Sequence, residues 1–259
     1  MEFETLLVTV EDGIGIMQIN RPKALNAVNE KLLEEAIVAL TELENNPEVK
    51  AIIVTGGEKV FAAGADIKGF MNYTPIQARD FIDKVHLVMN KLEDNHKPVV
   101  AAICGFALGG GTELTLACDV RVAAENATFG LPEVNLGIFP GGGGTQRLPR
   151  VVGIGRAKEL ILTGDFIDGK RAYEIGLVNY VVPADQVMET AKKVAKKLAK
   201  KPPLAVRVAK SCINQSMNVD IKTGVRLEQE AFSMLFGTED QKECMAAFAE
   251  NRKPNIKGR

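Results

Sequence analysis

The residues from Val99 to Cys118, VVAAICGFALGGGTELTLAC, carry a single charge, Glu113, over a length that could cross a bilayer as a helix. The glycines decide against a span. Gly105 and the triplet Gly109, Gly110 and Gly111 would each weaken a helix by about 1 kcal/mol. Glu113 would sit in hydrocarbon, and the run changes character from strand-like to helix-like along its length. It reads as a buried strand, a turn and a buried helix, which a chain of 259 residues has enough sequence to enclose.

The flanking patterns supply the enclosure. Thr5 to Val10 and Ile14 to Ile19 are strand-like runs around the turn Glu11-Asp12-Gly13, a hairpin. Apolar residues at 32, 33, 36, 37, 40 and 43 predict a helix with Asn29 as N-cap and Asn45-Asn46-Pro47 as its stop. A strand at Ala51 to Thr55, a helix near Pro75 to Leu92, strands at Val99 to Ile103 and Val120 to Ala123, and a last strand at Leu177 to Val182 continue the alternation. Beyond it the chain is helical: one stripe runs through Val187, Met188, Ala191, Val194, Ala195 and Leu198, with further helices near 204–218, 222–236 and 239–251. The expectation is an α/β core over residues 1–200 and a helical C-terminal region over 201–259.

Composition narrows the function. The 32 basic and 33 acidic residues leave a formal net charge of −1, which argues against a nucleic-acid-coating surface or a membrane-seeking one. The four cysteines form no CxxC pair and the only histidines are His86 and His96, so metal-ligand spacing is absent. The acidic, alternating N-terminus is unlike a signal peptide, and with the cysteine usage it points to the cytoplasm.

Phosphate and nucleophile motifs fail on spacing. No glycine cluster completes GxGxxG. Gly164 to Arg171 fits GxxxxGK but places Arg171 where a magnesium-binding hydroxyl is required, and two aspartates inside the loop would repel phosphate. It reads as a connection with Asp168 capping a helix. No serine lies in GxSxG, and Cys104 and Cys118 sit in apolar runs as packing residues.

Two carboxylates remain. Glu113 is the only charge between Val99 and Cys118, and Glu133 the only charge between Ala127 and Gln146. A carboxyl group in poor solvent has its pKa raised toward neutrality, where it can give or take a proton. On pattern alone each also fits a first-turn residue that complements a helix dipole. If a helix starts near Gly110, its first N–H groups lack intrahelical acceptors and can face a developing oxyanion.

At this point FAAGADIKGF at 61–70, ALGGGTEL at 107–114 and FGLPEVNLGIFPGGGGTQRLPR at 129–150 closely resemble the enoyl-CoA hydratase, or crotonase, family. The likeness extends from NRPKALNA at 20–27 through TGDFIDGKRAYEIGLVNYVV at 163–182 to AFAENRKP at 247–254. It implies an α/β, crotonase-like spiral of ββα units with a helical C-terminal trimerisation region, assembled as a homotrimer or a hexamer. It further implies Glu113 and Glu133 as the catalytic pair and the N–H groups of Ala65 and Gly110 as an oxyanion hole. Ala63, Ala65, Asp66, Ile67, Lys68 and Gly110, with Lys23, would contact an acyl-CoA thioester substrate.

The implied reaction is hydration of a trans-2-enoyl-CoA of short chain (crotonyl-CoA), with no cofactor because CoA belongs to the substrate. Isomerisation of an enoyl-CoA, thioester hydrolysis, hydration of a cyclic enoyl-CoA and a noncatalytic RNA-binding role are the rivals. The sequence departs from common family residues at Thr112 (often Cys), Leu131 (often Gln) and Asn251 (often Lys), none of them in the implied acid/base pair.

Overall fold

A computed structural model describes residues 2–259. Strands β1 (Leu6–Glu11) and β2 (Ile14–Ile19) pair antiparallel with Glu11 opposite Ile14, so the loop is the two residues Asp12 and Gly13. Both adopt positive φ, the backbone that matches the twist of a tight hairpin. Helix α1 (Glu30–Asn45) begins where the Asn29 side chain accepts the Leu32 N–H at 3.0 Å, and its buried face includes Leu32, Leu33, Ala36, Leu40 and Leu43. Parallel strands β3 (Ala51–Thr55) and β4 (Val99–Ile103) are buried throughout. Both faces of this sheet are covered, which is why their sequences are continuous apolar runs rather than alternating ones.

Between β3 and β4 lie the short helix α2 (Ile67–Phe70) and the long α3 (Pro75–Glu93), the latter opened by a reciprocal cap between Thr74 and Gln77. A short strand β5 (Phe106–Leu108) leads into α4 (Gly110–Leu116). Strand β6 (Val120–Ala124) is followed by β7 (Thr128–Gly130), a 3-10 turn over Pro132–Leu136, and helices α5 (Gly144–Val152) and α6 (Ile154–Thr163). Then come β8 (Ile167–Asp168), α7 (Gly169–Glu174) and β9 (Tyr180–Val182). Asp168 caps α7 by accepting the Arg171 N–H at 2.7 Å, so the near-miss phosphate loop is the connection its chemistry implied.

The six-stranded sheet has the order β1-β2-β3-β4-β6-β9, parallel after its first pair, and a smaller sheet has the order β5-β7-β8. Successive turns of chain repeat one plan. A strand of the large sheet is followed by a short run in the second layer and then by a helix: β4, β5, α4, and then β6, β7, α5. The same plan in reduced form takes β3 to residues 62–65, which bridge to Ala107 and Val28 before α2. This is the expected spiral of ββα units.

The second layer is what the hydrophobic pattern did not show. β5, β7 and β8 are two or three residues long and glycine-flanked, too short for a period to be read. The last strand also corrects the expected Leu177 to Val182, because it begins only at Tyr180. Leu177 and Val178 both return their N–H groups to Ala172 O, at 2.8 and 3.3 Å, and so are spent closing α7.

Helix α8 (Val187–Ala199) packs its predicted stripe onto the large sheet, burying Val187, Ala191 and Ala195. Helices α9 (Pro203–Gln215), α10 (Ile221–Leu235) and α11 (Glu239–Ala249) follow. α9 is tied to the core by Lys210, whose ammonium donates to Asp119 at 2.8 Å and Leu92 O at 3.2 Å. Among the described residues no helix is long and apolar enough to cross a membrane.

Asn26 fixes the loop before α1. Buried and at φ 58°, it accepts the Arg21 N–H through Oδ1 at 2.9 Å and donates through Nδ2 to Gly56 O at 2.9 Å and Val60 O at 2.7 Å. Replacing it by Ala strands these buried partners, and a loss of about 1–3 kcal/mol in unfolding free energy is expected from denaturant titration.

Candidate active site

Register explains how two backbone donors come together. Ala62 N–H donates to Phe106 O at 2.9 Å, and Leu108 N–H to Ala62 O at 3.0 Å, so Ala62 is bridged in parallel to Ala107. Beyond that bridge the two lengths stay close, since a Cβ on Gly109 would lie 3.7 Å from Gly64 Cα, so the residue before Ala65 approaches the residue before Gly110. The neighbouring amides are engaged: Val28 N–H donates to Gly64 O, Asp66 N–H to Val28 O, and Gly109 N–H to Gly130 O, each at 2.8 Å. Among the described residues neither the Ala65 nor the Gly110 N–H donates to a protein acceptor. Gly110 is the first residue of α4, where an N–H has no intrahelical partner.

The three glycines have different duties. A Cβ at Gly111 would collide with the carbonyl oxygen of Ala62, so the helix can lie against that strand only with glycine there. At Gly110 an added Cβ meets nothing within 4 Å: it projects into open space. A Cβ at Gly109 would lie 2.9 Å from Glu133 Oε1, which places that carboxyl group beside the turn into α4.

Glu113 points from α4 into the protein and is 3% exposed. Gly144 N–H donates to its Oε1 at 2.8 Å, and the glycine run at 142–144 closes over the carboxyl group so tightly that a Cβ at Gly142 would approach Oε2 to 2.6 Å. Burial pushes its pKa up to about 7; the Gly144 and Gly142 amides and the Arg147 guanidinium pull it down, and the Glu133 charge adds to the rise. Glu133, half-buried in the 3-10 turn, is also raised by burial, with its own N–H opposing. Its Oε2 is buried without a hydrogen-bond partner. A buried acceptor left open beside two open donors is a site arranged for a bound molecule rather than for the fold.

Thr112 joins the two halves. Its buried hydroxyl lies 2.5 Å from Ala107 O and 2.9 Å from Gly130 O, the carbonyl that also receives the Gly109 N–H. The turn carrying Gly110 is thereby fastened to the end of β7, from which the chain runs directly to Glu133.

Of the remaining implied contacts, Ala63 donates its N–H to Leu25 O at 3.0 Å, which docks the 63–68 segment against the loop that carries Lys23. Lys23, Ile67 and Lys68 are exposed. Asp66 is paired with Arg21 at 3.1 Å, a partner the sequence reading did not single out. Asp66 and Lys68 line a cavity of about 620 Å³ with Val28, Phe70, Tyr73 and Phe81, which reaches neither glutamate. Cys104 and Cys118 are buried, with thiols pushed up by burial to about 11 and about 12, and so are not nucleophiles near neutrality. Among the described residues no group of His, Cys, Asp and Glu could hold a metal ion.

A match to the family Enoyl-CoA hydratase/isomerase extends over residues 9–259. The chain belongs to this family. A short-chain enoyl-CoA hydratase of Clostridium acetobutylicum is 49% identical over 98% of this chain and 97% of that one. A crotonyl-CoA hydratase of Syntrophomonas wolfei is 47% identical over 99% of each. The crystal structure of an enoyl-CoA hydratase from Bacillus anthracis superposes with a TM-score of 0.94 at 43% identity, covering 99% of this chain and all of that one. As a member of the enoyl-CoA hydratase/isomerase family, the chain has the crotonase fold, and its family acts on acyl-CoA thioesters.

Two outcomes test this geometry. Gly110→Ala is expected to fold with wild-type stability yet lose turnover of an enoyl-CoA, whereas Gly111→Ala is expected to lose stability in thermal unfolding. Glu113→Gln is expected to raise stability at pH 8 but not at pH 4. The folded wild type keeps the Glu113 proton up to about pH 7 while the unfolded chain releases it near 4.5, so the buried carboxylate destabilises the fold progressively between these values and fully above them. Melting curves of the two proteins across that range read the difference.

Proposed function

We propose that the protein is an enoyl-CoA hydratase that adds water reversibly to a short trans-2-enoyl-CoA, of which crotonyl-CoA is the reference substrate, and forms the 3-hydroxyacyl-CoA. The observation that carries the reading is the pair of carboxyl groups of raised pKa, buried Glu113 and half-buried Glu133, at either end of the glycine turn that opens α4 with an unpaired N–H.

The thioester oxygen accepts hydrogen bonds from Ala65 and Gly110, and the electron pair of the double bond is drawn toward that oxygen as an enolate. Oxyanion donors of this kind are worth about 3 kcal/mol each when aligned with the transition state. Glu113, as the carboxylate, takes a proton from water while the oxygen attacks the β-carbon. Glu133, as the neutral acid, delivers its proton to the α-carbon as the enolate collapses. The product gains H and OH, and proton exchange with solvent resets the pair. Hydration produces no net oxidation or reduction, so the reaction asks for no redox cofactor, and CoA arrives with the substrate. Ala63 to Lys68 and Lys23 are proposed to flank the CoA portion, with the two ammonium groups toward its phosphates.

Assembly belongs to the same proposal. Helices α9 and α10 bury no residue within this chain, and Phe232, Met234, Ile221 and Phe248 are largely exposed on the C-terminal helices. Apolar surface of this extent supports residues 201–259 as an oligomerisation region, forming a trimer or a pair of trimers. A cytoplasmic location agrees with its four free cysteines.

The ultraviolet absorbance of crotonyl-CoA is expected to decay on mixing with the protein. Glu113→Gln and Glu133→Gln, shown to be folded, are each expected to slow that decay by about 10²–10⁴. Because water must meet the ionised form of Glu113, kcat is expected to fall as pH drops through about 7. Crotonyl-CoA that binds without decaying would move the assignment to a bulkier or cyclic enoyl group, or to isomerisation.

A further inference from the structure

The glycine loop over Glu113 lies against Ile82, Val85, Pro140 and Leu131, and one charged side chain ties it to the end of α3. Arg147, on α5, directs its guanidinium backward so that Nη1 donates to Gly142 O at 3.3 Å. Nε donates to Glu93 Oε2 at 2.9 Å, and Nη2 donates to the same oxygen and to Asn90 Oδ1, the latter at 3.2 Å. Glu93 and Asn90 stand in the last turn of α3, so the fork joins that helix to the loop between Pro140 and α5. The backbone is shaped to receive it. Gly143 sits at φ 107°, and a Cβ there would collide with Arg147 Nη1. Arg147 N–H also donates to Gly143 O at 2.7 Å. The side chain of Arg147 is only 14% exposed.

We infer that Arg147 is a positioning residue for the hydration step: by clamping residues 142–144 to α3 it holds the Gly144 amide on Glu113 and keeps a fixed positive charge behind that carboxyl group. This rests on the hydratase reading for its kinetic consequence but not for its electrostatic one. The groups acting on Glu113 are few. Glu133 faces it from the 3-10 turn, the Gly142 and Gly144 amides from the loop, and Arg147 from α5, while α3 presents the apolar Val85. Only Arg147 brings a cation, itself paired with Glu93, and its charge holds the Glu113 titration down, so its removal is expected to move that titration upward.

The α3 end of the clamp is itself secured. Asn214 of α9 donates to Glu93 O at 2.9 Å, and Lys210 to Leu92 O at 3.2 Å. The C-terminal helices therefore reach the catalytic loop through two steps of hydrogen bonding, α9 to the end of α3 and α3 to Arg147.

The test titrates Glu113 by the ¹³C chemical shift of its carboxyl carbon, assigned with Glu113→Gln, in wild type, Arg147→Met, Arg147→Lys and Glu93→Gln, beside kcat and KM for crotonyl-CoA. Arg147→Met is expected to raise the midpoint, and to move the acid limb of kcat with it. It is also expected to lower kcat by about tenfold or more at pH 8 with KM changed little, since the loop that orients the base is released. Arg147→Lys retains the charge without the fork and is expected to keep the midpoint near wild type while kcat stays depressed. Glu93→Gln is expected to fall between wild type and Arg147→Met in kcat. If Arg147→Met lowers the melting temperature but leaves both the midpoint and kcat at wild-type values, the residue is a strut and the inference is wrong. Should Arg147→Met not fold, wild-type kcat in both Arg147→Lys and Glu93→Gln overturns it equally. Failure of the wild type to hydrate crotonyl-CoA would count against the hydratase reading alone, because the carboxyl titration needs no substrate.

Discussion

Two short lengths of backbone meet at the parallel bridge between Ala62 and Ala107, and the candidate site depends on that pairing. The contact is bare peptide against bare peptide. Ala62 and Ala107 are both fully buried, and Gly111 must lack a side chain for α4 to reach the Ala62 carbonyl. From that bridge the chain leads to Ala65 on one side, past Gly64, which lies against the Gly109 turn, and to Gly110 on the other. Their free N–H groups then follow from position: one ends a short bridge and the other begins a helix. The large sheet beneath, parallel and buried on both faces, keeps the two lengths from sliding, since each is continuous with one of its central strands, β3 and β4.

Burial then does two opposed things. It places Glu113 where water is scarce, raising its pKa to about 7, and it obliges the protein to offer that carboxylate some compensation. The compensation is graded. A single firm hydrogen bond from Gly144 at 2.8 Å, assisted by Gly142 and the more distant charge of Arg147, leaves the group able to hold or release a proton near neutrality. Glu35 shows the contrasting case. Its carboxylate accepts the N–H groups of Glu4 and Thr5 and the Thr5 hydroxyl, at 3.0, 2.8 and 2.5 Å, and despite desolvation its pKa is lowered. Both glutamates are nearly inaccessible, at 3% and 8% exposure, so accessibility does not separate them. Depth and partners do: Glu35 lies close enough to the surface to pair also with the Lys31 ammonium at 3.4 Å, whereas Glu113 is deep and has fewer donors. Glu35 is saturated and holds the N-terminal segment against α1; Glu113 is undersupplied and remains titratable.

These distinctions bear on how much the sequence could disclose. Strands β3 and β4 and helix α1 were legible because long buried elements impose a period or an unbroken apolar run, and the Asn29 cap and the hairpin turn are local chemistry. Glu113 and Glu133 were legible as isolated charges in apolar, glycine-rich surroundings. The pairing of Ala65 with Gly110 is implied only by the family resemblance, because nothing about an alanine announces a free amide. Arg147 was invisible for a related reason. Arginine beside a glycine run reads as a solvated charge until the fold brings Glu93, 54 residues earlier, within 2.9 Å of it. The second layer of strands escaped because β5 and β7 have three residues each and are held by register with neighbours rather than by any pattern of their own.

The departures from common family residues fit the same logic. Thr112 supplies a hydroxyl to carbonyls on either side of it, Ala107 on the strand before α4 and Gly130 on the strand before Glu133. A thiol at that position is a weaker donor with a longer reach, so threonine fastens the oxyanion turn to the β7 end more firmly. Leu131, fully buried and packed toward Gly144, puts an apolar wall next to Glu113 where an amide would supply further hydrogen-bonding groups. The two replacements act in complementary directions. One stiffens the turn that carries Gly110, and the other keeps hydrogen-bond donors away from the Glu113 carboxyl group.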